Sequence, residues 1–256
     1  MRFWTAWQLL TIIPIPYCRE YPPENLGKSI GFFPVVGIFL GAGLLGLDLL
    51  LRLFLPLMLV NVLLLVVLLI LTGALHLDGF IDTCDGLAIR GLPPARLEAM
   101  HDSRVGAFGV IGGCLMILAQ FASLMSLPSG LRTNAFLLMP VLSRWAMVYA
   151  ICAFPSAKKE GMGWQVKQGA TWKGMAIATG ISSVIALVSL RWWGLALLAA
   201  LALIVFVFAR FLCSRLGGLS GDSYGAINEF TQLAVLILVY IIANYASNIY
   251  SLPYFI

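Results

Sequence analysis

Three aspartates stand at helical spacing where a long apolar run ends. Asp78, Asp82 and Asp85 lie at i, i+4 and i+7 in the segment HLDGFIDTCDG (residues 76–86), so on a helix they share one narrow face. Carboxylates this close repel one another unless a cation lies among them or some of them are protonated. Hard oxygen ligands without convergent cysteines favour Mg²⁺ or Mn²⁺ over zinc. We therefore predict a Mg²⁺ site here, against the alternative of a solvated helix end.

Two glycines beside these aspartates favour the metal interpretation. Gly79 and Gly86 carry no side chain, so a bulky ligand or another helix can approach the acidic face closely. His76 falls roughly opposite the aspartates on the same predicted helix, and we expect it to make a structural hydrogen bond.

A second segment, HDSRVGAFG (101–109), joins charged residues to glycines at the start of an apolar run. Asp102 and Arg104 are candidate substrate-binding residues, because Arg104 and the backbone amides around Gly106 and Gly109 suit phosphate oxygens. The alternative is a capped helix start with an arginine that reaches the membrane surface. The spacing alone does not separate the two interpretations.

A third segment, GGLSGDSYGAINE (217–229), combines glycines and hydroxyls with two acids. Its backbone amides could bind a phosphate, and its carboxylates could bind a metal or a ribose. We therefore predict that Asp222 binds substrate and that Glu229 is catalytic. A flexible connector would not need two acids at the edge of a membrane.

One arginine, Arg144, falls inside an apolar run that begins at residue 135. A charge within a membrane is costly and is a functional hypothesis by default, so Arg144 is predicted to bind substrate. The alternative is that it pairs with a carboxylate for packing alone. Asp48 and Arg52, at i and i+4, are predicted to form an ordinary ion pair at the membrane surface.

The composition describes the elements that must position these residues. The chain has 256 residues, of which 61% are hydrophobic and 11% charged, with a mean hydropathy of +0.97. These values exclude an ordinary soluble domain and predict an all-α, polytopic membrane protein. Continuous apolar runs without alternation argue against a β-barrel. Seven runs have the length of a transmembrane helix: 32–51, 55–75, 108–127, 135–154, 174–190, 192–212 and 231–250.

We expect one membrane domain over residues 1–256. Residues 1–31 are predicted to lie at the membrane interface and not to be a cleaved signal peptide, because a small-residue cleavage site is missing and prolines follow. Segments 76–107 and 213–230 are predicted to be active-site loops. The five cysteines have no CxxC spacing and are expected to be unpaired.

Basic residues set the predicted orientation. Twelve of the sixteen Lys and Arg residues fall on the side of the N-terminus, which the positive-inside rule assigns to the cytoplasm. The acids of segments 76–107 and 213–230 lie on the same side, so they could form one cytoplasmic site in a prokaryotic inner membrane. The net charge of +5 is a topology signal, and no nucleic-acid partner is expected. A homo-oligomer is left open.

The three segments together resemble the cobalamin synthase family, also called the adenosylcobinamide-GDP ribazoletransferase family. The opening residues 13–16 and 31–37, and the GMG of residues 161–163, are also similar to that family. Departures are mild, the main one being His101, where the family usually has Lys or Arg. The resemblance implies an integral membrane transferase that needs Mg²⁺. Its substrates would be adenosylcobinamide-GDP and α-ribazole or its 5′-phosphate, and its products adenosylcobalamin or the 5′-phosphate and GMP.

For that reaction we expect in-line attack of the ribazole 3′-hydroxyl on the phosphate attached to cobinamide. Asp78, Asp82 and Asp85 would hold the metal, and Asp82, Asp85 and Glu229 are the candidate catalytic residues. Either Asp85 or Glu229 would accept the proton. Phosphate oxygens would be held by Arg104 and Arg144.

Two other functions could also account for acidic residues in a membrane protein. A CDP-alcohol type phosphotransferase also places spaced aspartates at a helix end, but its Asp-Gly-x-x-Ala-Arg signature is not matched at residues 78–83. A cation-coupled transporter would keep its acids near the middle of the membrane and repeat its halves. Here the acids collect at one side, and no internal repeat is visible.

Overall fold

The protein folds as a set of helices. The structure, a computed structural model, describes residues 2–15 and 23–250, with side chains for all of these except 23–24 and 245–250. In this part of the chain there is no strand, and one isolated parallel bridge joins Ser156 to Leu219. Twelve α-helices are described: α1 (Arg2–Leu10), α2 (Pro23–Lys28), α3 (Phe33–Leu51), α4 (Leu57–Leu71), α5 (Leu75–Ala88), α6 (Pro93–Ala99), α7 (Ala107–Ser126), α8 (Arg132–Ala153), α9 (Met162–Gly169), α10 (Trp172–Leu190), α11 (Trp192–Leu216) and α12 (Gly221–Tyr250).

Six stretches of the described chain are long and apolar enough to cross a membrane, so the predicted all-α, polytopic membrane architecture is confirmed. They contain α3, α7, α8, α10, α11 and α12. The number becomes seven if α4 and α5 together form one crossing. Apolar side chains cover the outer faces of these helices, as expected for a protein whose solvent is lipid.

The second predicted span is wrong in its extent. Helix α4 ends at Leu71, and α5 then leaves at 90° to it. Gly73 and Ala74 form the bend with positive φ angles of 61° and 54°. With 15 residues, α4 is about 22 Å long, shorter than a hydrocarbon core of about 30 Å. A hydropathy pattern contains no signal for the direction of a chain, so it could not show this bend.

Both ends of the bundle are defined by contacts between distant segments. At one end the last residues of α3 and the first of α8 meet the start of α4. At the other end, the Ile12 N–H donates to the Leu71 carbonyl (2.9 Å), which joins the segment after α1 to the end of α4. Helix α4 therefore has a contact with a distant segment near each of its ends, through Asn61 and Leu71.

Helix α8 lies at the centre and packs against α3, α10 and α12. Most of its residues are buried, including Phe136, Leu138 and Leu142. Helix α3 can approach it closely at Gly37, where an added Cβ would lie 2.5 Å from the Pro140 carbonyl oxygen. Small residues at such crossings let membrane helices pack by their backbones.

A buried ion pair joins four helices at the end of the bundle away from α1. Asp48 and Arg132 are almost completely buried, and their side chains form a short ion pair. Arg132 also donates to Asn61 Oδ1 (2.8 Å) and to the Leu124 carbonyl (3.4 Å). Arg52 is 3.6 Å from Asp48 and more exposed. The predicted Asp48–Arg52 surface pair therefore exists, but the main partner of Asp48 comes from α8, which sequence spacing could not show.

The cysteines that the structure describes are unpaired. This holds for Cys84, Cys114, Cys152 and Cys213, as predicted, and Cys18 lies outside the described residues.

Helix α1 packs against α2 and α3. Its predicted position at the membrane interface stays a prediction.

Candidate active site

The three aspartates lie on one helix, as predicted. Helix α5 contains Asp78, Asp82 and Asp85, and it is outside the six stretches of spanning length. Asp78 is exposed, whereas Asp82 and Asp85 are partly buried. Segment 76–107, expected to be a loop, is thus largely helical, because α5 and α6 occupy most of it.

A close crossing of α5 and α12 brings a fourth aspartate to this group. An added Cβ at Gly79 would lie 2.8 Å from the Cα of Asp222, and one at Gly225 would lie 2.9 Å from the His76 carbonyl oxygen. The absence of side chains at both positions allows the two backbones to touch. The prediction that another helix approaches Gly79 is confirmed, and the approaching residue carries a carboxylate.

Asp222 stands in the first turn of α12 and not in a loop. Helix α12 begins at Gly221, ten residues before the seventh predicted span, so only residues 217–220 separate it from α11. Ser220 caps the helix, since its Oγ accepts from the Ser223 N–H (3.2 Å) and donates to Asp222 Oδ2 (3.2 Å). The positive end of the helix dipole favours a carboxylate or a phosphate at this position.

Burial and mutual repulsion both act on the central member of this acidic group, Asp78, Asp82, Asp85 and Asp222. The pKa of Asp82 is raised to about 6, first by partial burial and then by the charges of Asp78, Asp222 and Asp85. Lys158 acts in the opposite direction. Four carboxylates therefore lie within electrostatic reach of one another at one end of the bundle.

We expect Gly79→Ala to lower any activity of this acidic group roughly 10- to 100-fold, because displacing Asp222 by a fraction of an ångström misaligns it with α5. The matched control is Gly46→Ala on α3, where the added methyl group meets nothing within 4 Å. Comparing turnover of the two purified variants checks the expectation. Equal activities would mean that the α5–α12 crossing does not position the site.

Asp85 has a role that its spacing did not reveal. Its two carboxylate oxygens accept hydrogen bonds from the backbone N–H groups of Gly106 (2.8 Å) and Gly109 (2.7 Å). Those amides open helix α7, so the segment 101–109 contains a capped helix start, one of the two alternatives left open by the sequence. Asp85 thereby ties α5 to α7, and its metal and catalytic roles stay predictions.

Asp102 and Arg104 bind each other at the surface. Arg104 donates to Asp102 through its Nη2 (2.9 Å), Nε (3.1 Å) and backbone N–H (2.9 Å). These hydrogen bonds lower the pKa of Asp102 to about 2. The Arg104 side chain is 87% exposed and does not line the cavity described below. Their predicted substrate contacts would require a substrate that extends beyond it.

Arg144 and Glu229 are enclosed in the bundle. Arg144 is fully buried on α8, where it donates to Ser143 Oγ (3.1 Å). Glu229 lies on α12 and accepts hydrogen bonds from Gln120, Asn228 and Gln232. Neither side chain lines the cavity, so a direct contact with substrate, predicted for both, would require the helices to move.

Lys158 is a functional candidate that was predicted from the sequence only as one of the basic residues on the side of the N-terminus. It lies in the segment between α8 and α9, which pairs with the segment before α12: the Ala157 N–H donates to the Leu219 carbonyl (2.9 Å). This pairing brings Lys158 Nζ to 3.7 Å from Asp222 Oδ2 and 2.6 Å from His101 Nε2. The sequence feature that could have identified Lys158 is its position shortly before the GMG motif of residues 161–163.

A cavity of about 570 Å³ opens beside the acidic group. Its polar wall includes Asp78, Asp222 and Lys158, and its apolar wall is formed by α1, α3, α8 and α9. The volume is within the range of small-molecule sites, about 300–1,000 Å³. Helix α1, which was predicted to lie at the membrane interface, contributes Leu9 and Leu10 to the wall of this cavity.

The carboxylates fit a Mg²⁺ ion that completes its shell from a substrate. In the described residues, no group of three or more His, Cys, Asp and Glu side chains is close enough to hold a metal by itself. Mg²⁺ usually takes one or two protein carboxylates and fills its other positions with water and phosphate oxygens. Asp78, Asp82 and Asp222 supply carboxylate oxygens of the kind that Mg²⁺ binds. Lys158 lines the same cavity, and its positive charge suits a phosphate. The arrangement is suited to reactions of a diphosphate.

The comparisons with known proteins agree on one family. The family model described as cobalamin-5-phosphate synthase matches residues 2–240. The chain is 36% identical to the adenosylcobinamide-GDP ribazoletransferase of Geotalea daltonii, over 91% of this chain and 94% of that protein. Proteins with the same description from Desulfitobacterium hafniense and Synechococcus elongatus are 36% and 39% identical, covering 92% and 88% of this chain and 95% and 90% of their own lengths. No solved structure matches the chain.

Proposed function

The chain belongs to the cobalamin-5-phosphate synthase family, and from that membership we propose that it is an adenosylcobinamide-GDP ribazoletransferase. It transfers the cobinamide phosphate of adenosylcobinamide-GDP to the 3′-hydroxyl of α-ribazole or its 5′-phosphate, with release of GMP. The observation that carries the proposal is the match over nearly the whole chain. The acidic group beside a cavity of suitable size supports it from the structure.

In this proposal the diphosphate of the donor lies beside the acidic rim of the cavity, which consists of Asp78, Asp82 and Asp222. A bound Mg²⁺ would supply positive charge to offset that of the diphosphate. Asp78, Asp82 and Asp222 are the carboxylates that would hold it, one or two at a time, because the charges of Asp78 and Asp222 act on Asp82 beside the α5–α12 crossing. Asp85 keeps α5 in place through its two bonds to the start of α7.

The attacking hydroxyl loses its proton to a carboxylate of the rim. Burial and the neighbouring carboxylates raise the pKa of Asp82 to about 6, and a cation among them would lower it again. Asp82 would then be ionised at neutral pH and able to accept a proton. Asp82 is therefore preferred over Glu229, which is enclosed between α7 and α12. Lys158 and the backbone amides at the start of α12 face the non-bridging oxygens.

The site is proposed to face the cytoplasm of a bacterial cell, from the inner membrane. The acidic group lies at the end of the bundle that also carries most of the basic residues, such as Lys158, Lys159 and Lys167. Basic residues collect on the cytoplasmic side of membrane proteins. Phosphorylated substrates could then reach the site directly from the cytoplasm.

The test is a reconstituted reaction. Detergent-purified protein is incubated with adenosylcobinamide-GDP, α-ribazole 5′-phosphate and Mg²⁺, with a parallel sample in EDTA, and products are followed by mass spectrometry. We expect GMP and a complete cobamide only when metal is present. No product from folded protein would contradict the proposal, and CDP-alcohol donors would be tested next.

Replacing Lys158 is expected to weaken the binding of the donor substrate, adenosylcobinamide-GDP. Lys158→Ala removes a charge-assisted contact to phosphate, typically about 1.5–3 kcal/mol, so kcat/KM for adenosylcobinamide-GDP should fall roughly 10- to 100-fold. Lys159→Ala is the matched control, because Lys159 is the exposed neighbour and does not line the cavity. Equal losses in both variants would indicate a general charge effect and not a contact of Lys158.

A further inference from the structure

A second polar group is buried inside the bundle. Its centre is Glu229 on α12, which is 5% exposed and accepts hydrogen bonds from three amide side chains. Asn228 (3.2 Å) and Gln232 (2.9 Å) belong to α12 itself. The third donor is Gln120 Nε2 (2.9 Å), which comes from α7. Among the described residues, Gln120 is therefore the donor that ties Glu229 to another helix.

The opposite charge comes from a third helix. Arg144 of α8 is fully buried, and its charge and that of Glu229 act on each other. The charge of Arg144 also acts on His76 of α5. His76 Nε2 has no hydrogen-bond partner within the described residues, so the hydrogen bond expected of this histidine is not formed at that atom. A carboxylate inside a membrane protein needs donors and an opposite charge in place of the water that it has lost, so Glu229 favours the position of α12 at which Gln120 reaches it.

Helix α12 connects Glu229 to the acidic rim. Asp222 and Glu229 stand at i and i+7 in one uninterrupted helix, so they share a face and lie about 10 Å apart along its axis. If the helix slides or turns at Glu229, Asp222 slides or turns with it. A contact that holds Glu229 therefore also holds Asp222.

Helix α7 is bonded to both helices that carry the rim. Two backbone amides at its start bind Asp85 of α5, and Gln120, further along, binds Glu229 of α12. The contact between α5 and α12 at Gly79 completes a triangle of three helices. Apolar packing allows one helix to slide or turn on another, whereas a hydrogen bond weakens steeply when its angle changes. The bond from Gln120 thus gives the α7–α12 side of the triangle a fixed register.

We propose that Gln120 is a positioning residue for the acidic rim, an inference that rests on the proposed function. Gln120 does not line the cavity, so it acts through Glu229 and not on a substrate. It fixes the register of α12 and thereby keeps Asp222 beside Asp78 and Asp82. A neutral amide in the middle of an apolar run belongs to no motif, which is why Gln120 was not among the residues predicted from the sequence.

Gln120→Met tests the proposal, because methionine has nearly the length and shape of glutamine but cannot donate. Ser123→Ala is the matched control, since the Ser123 hydroxyl donates to the Ala119 carbonyl of its own helix (2.7 Å). We expect kcat at saturating Mg²⁺ to fall roughly 10- to 100-fold in Gln120→Met, because a displaced Asp222 is misaligned for the transition state. Both KM values should stay within about threefold, and Ser123→Ala should behave as the wild type. Gln120→Asn, whose side chain is one methylene shorter, should show the same loss and replaces Gln120→Met if that variant does not fold.

Binding of inorganic pyrophosphate with Mn²⁺, measured by equilibrium dialysis without either substrate, is the second measurement. We expect it to weaken roughly tenfold or more in Gln120→Met, the usual loss when a residue that supports metal ligands is removed. If the wild type transfers, an unchanged kcat in Gln120→Met, or an equal loss in Ser123→Ala, overturns the positioning role. If the wild type transfers nothing, the proposed function fails and dialysis decides alone. Binding weakened in Gln120→Met but not in Ser123→Ala supports the role, and equal binding in all three proteins, or none by the wild type, overturns it.

Discussion

Asp82→Asn is expected to lower the rate of GMP release by roughly 10²–10³-fold, the usual loss when one electrostatic group of a preorganised site is removed. Asparagine keeps the shape of the side chain but removes its charge and its ability to accept a proton. Asp82 is coupled to the other carboxylates, since the charges of Asp78, Asp222 and Asp85 all raise its pKa. Its loss therefore affects both metal binding and proton transfer.

Two measurements check this expectation. Turnover is compared with that of Glu98→Gln, a carboxylate-to-amide change at an exposed position of α6, which should retain normal activity. Mn²⁺ binding, followed by electron paramagnetic resonance in the presence of the donor, should be weakened in Asp82→Asn alone. Undiminished turnover of Asp82→Asn would falsify the assignment of the site to the face of α5.

Arg132→Met is expected to destabilise the protein by about 3–5 kcal/mol, because it leaves the Asp48 carboxylate buried without its main partner. The hydrogen bonds that Arg132 donates to Asn61 and to the Leu124 carbonyl are lost as well. For a chain of this size the change corresponds to a fall in Tm of roughly 6–20 °C. Thermal unfolding in detergent, followed by circular dichroism, measures it.

Arg52→Met removes the weaker of the two arginine partners of Asp48. Arg52 is 3.6 Å from Asp48, and its side chain is 39% exposed, so its removal should cost at most about 1 kcal/mol. A double variant with Asp48→Asn and Arg132→Met should recover part of the stability lost in Arg132→Met, because the unpaired buried charge is gone. Similar Tm values for Arg132→Met and Arg52→Met would show that the buried pair is not what holds α3, α4 and α8 together.

Local patterns of the sequence predicted most of the architecture. Each apolar run of spanning length is a property of consecutive residues, and six of the seven predicted spans correspond to helices of that length. The exception, residues 55–75, failed at Gly73 and Ala74, where a turn of the backbone leaves no trace in hydropathy. The start of α12 was placed too late because Asp222 and Glu229 are polar residues inside a helix.

The site could be predicted only in part for a related reason. The stripe of Asp78, Asp82 and Asp85 needed nothing beyond helical spacing. Asp222 lies near these aspartates because Gly79 and Gly225, on different helices, allow α5 and α12 to touch. Lys158 lies near them because the segment before α9 pairs with the segment before α12. Such contacts join residues more than sixty positions apart, which one sequence without related sequences does not reveal.

The sequence by itself determined the membrane class, the helix that carries three carboxylates and the resemblance to one family, because these depend on composition, periodicity and motifs. Only the tertiary structure decided how each charged residue is used. Burial encloses Arg144 and Glu229 within the bundle, and Asp85 caps α7. Asp78 and Asp222 line the cavity, and their charges act on Asp82. The physical reason is that a carboxylate has the same chemistry everywhere in a chain, and packing decides what it faces.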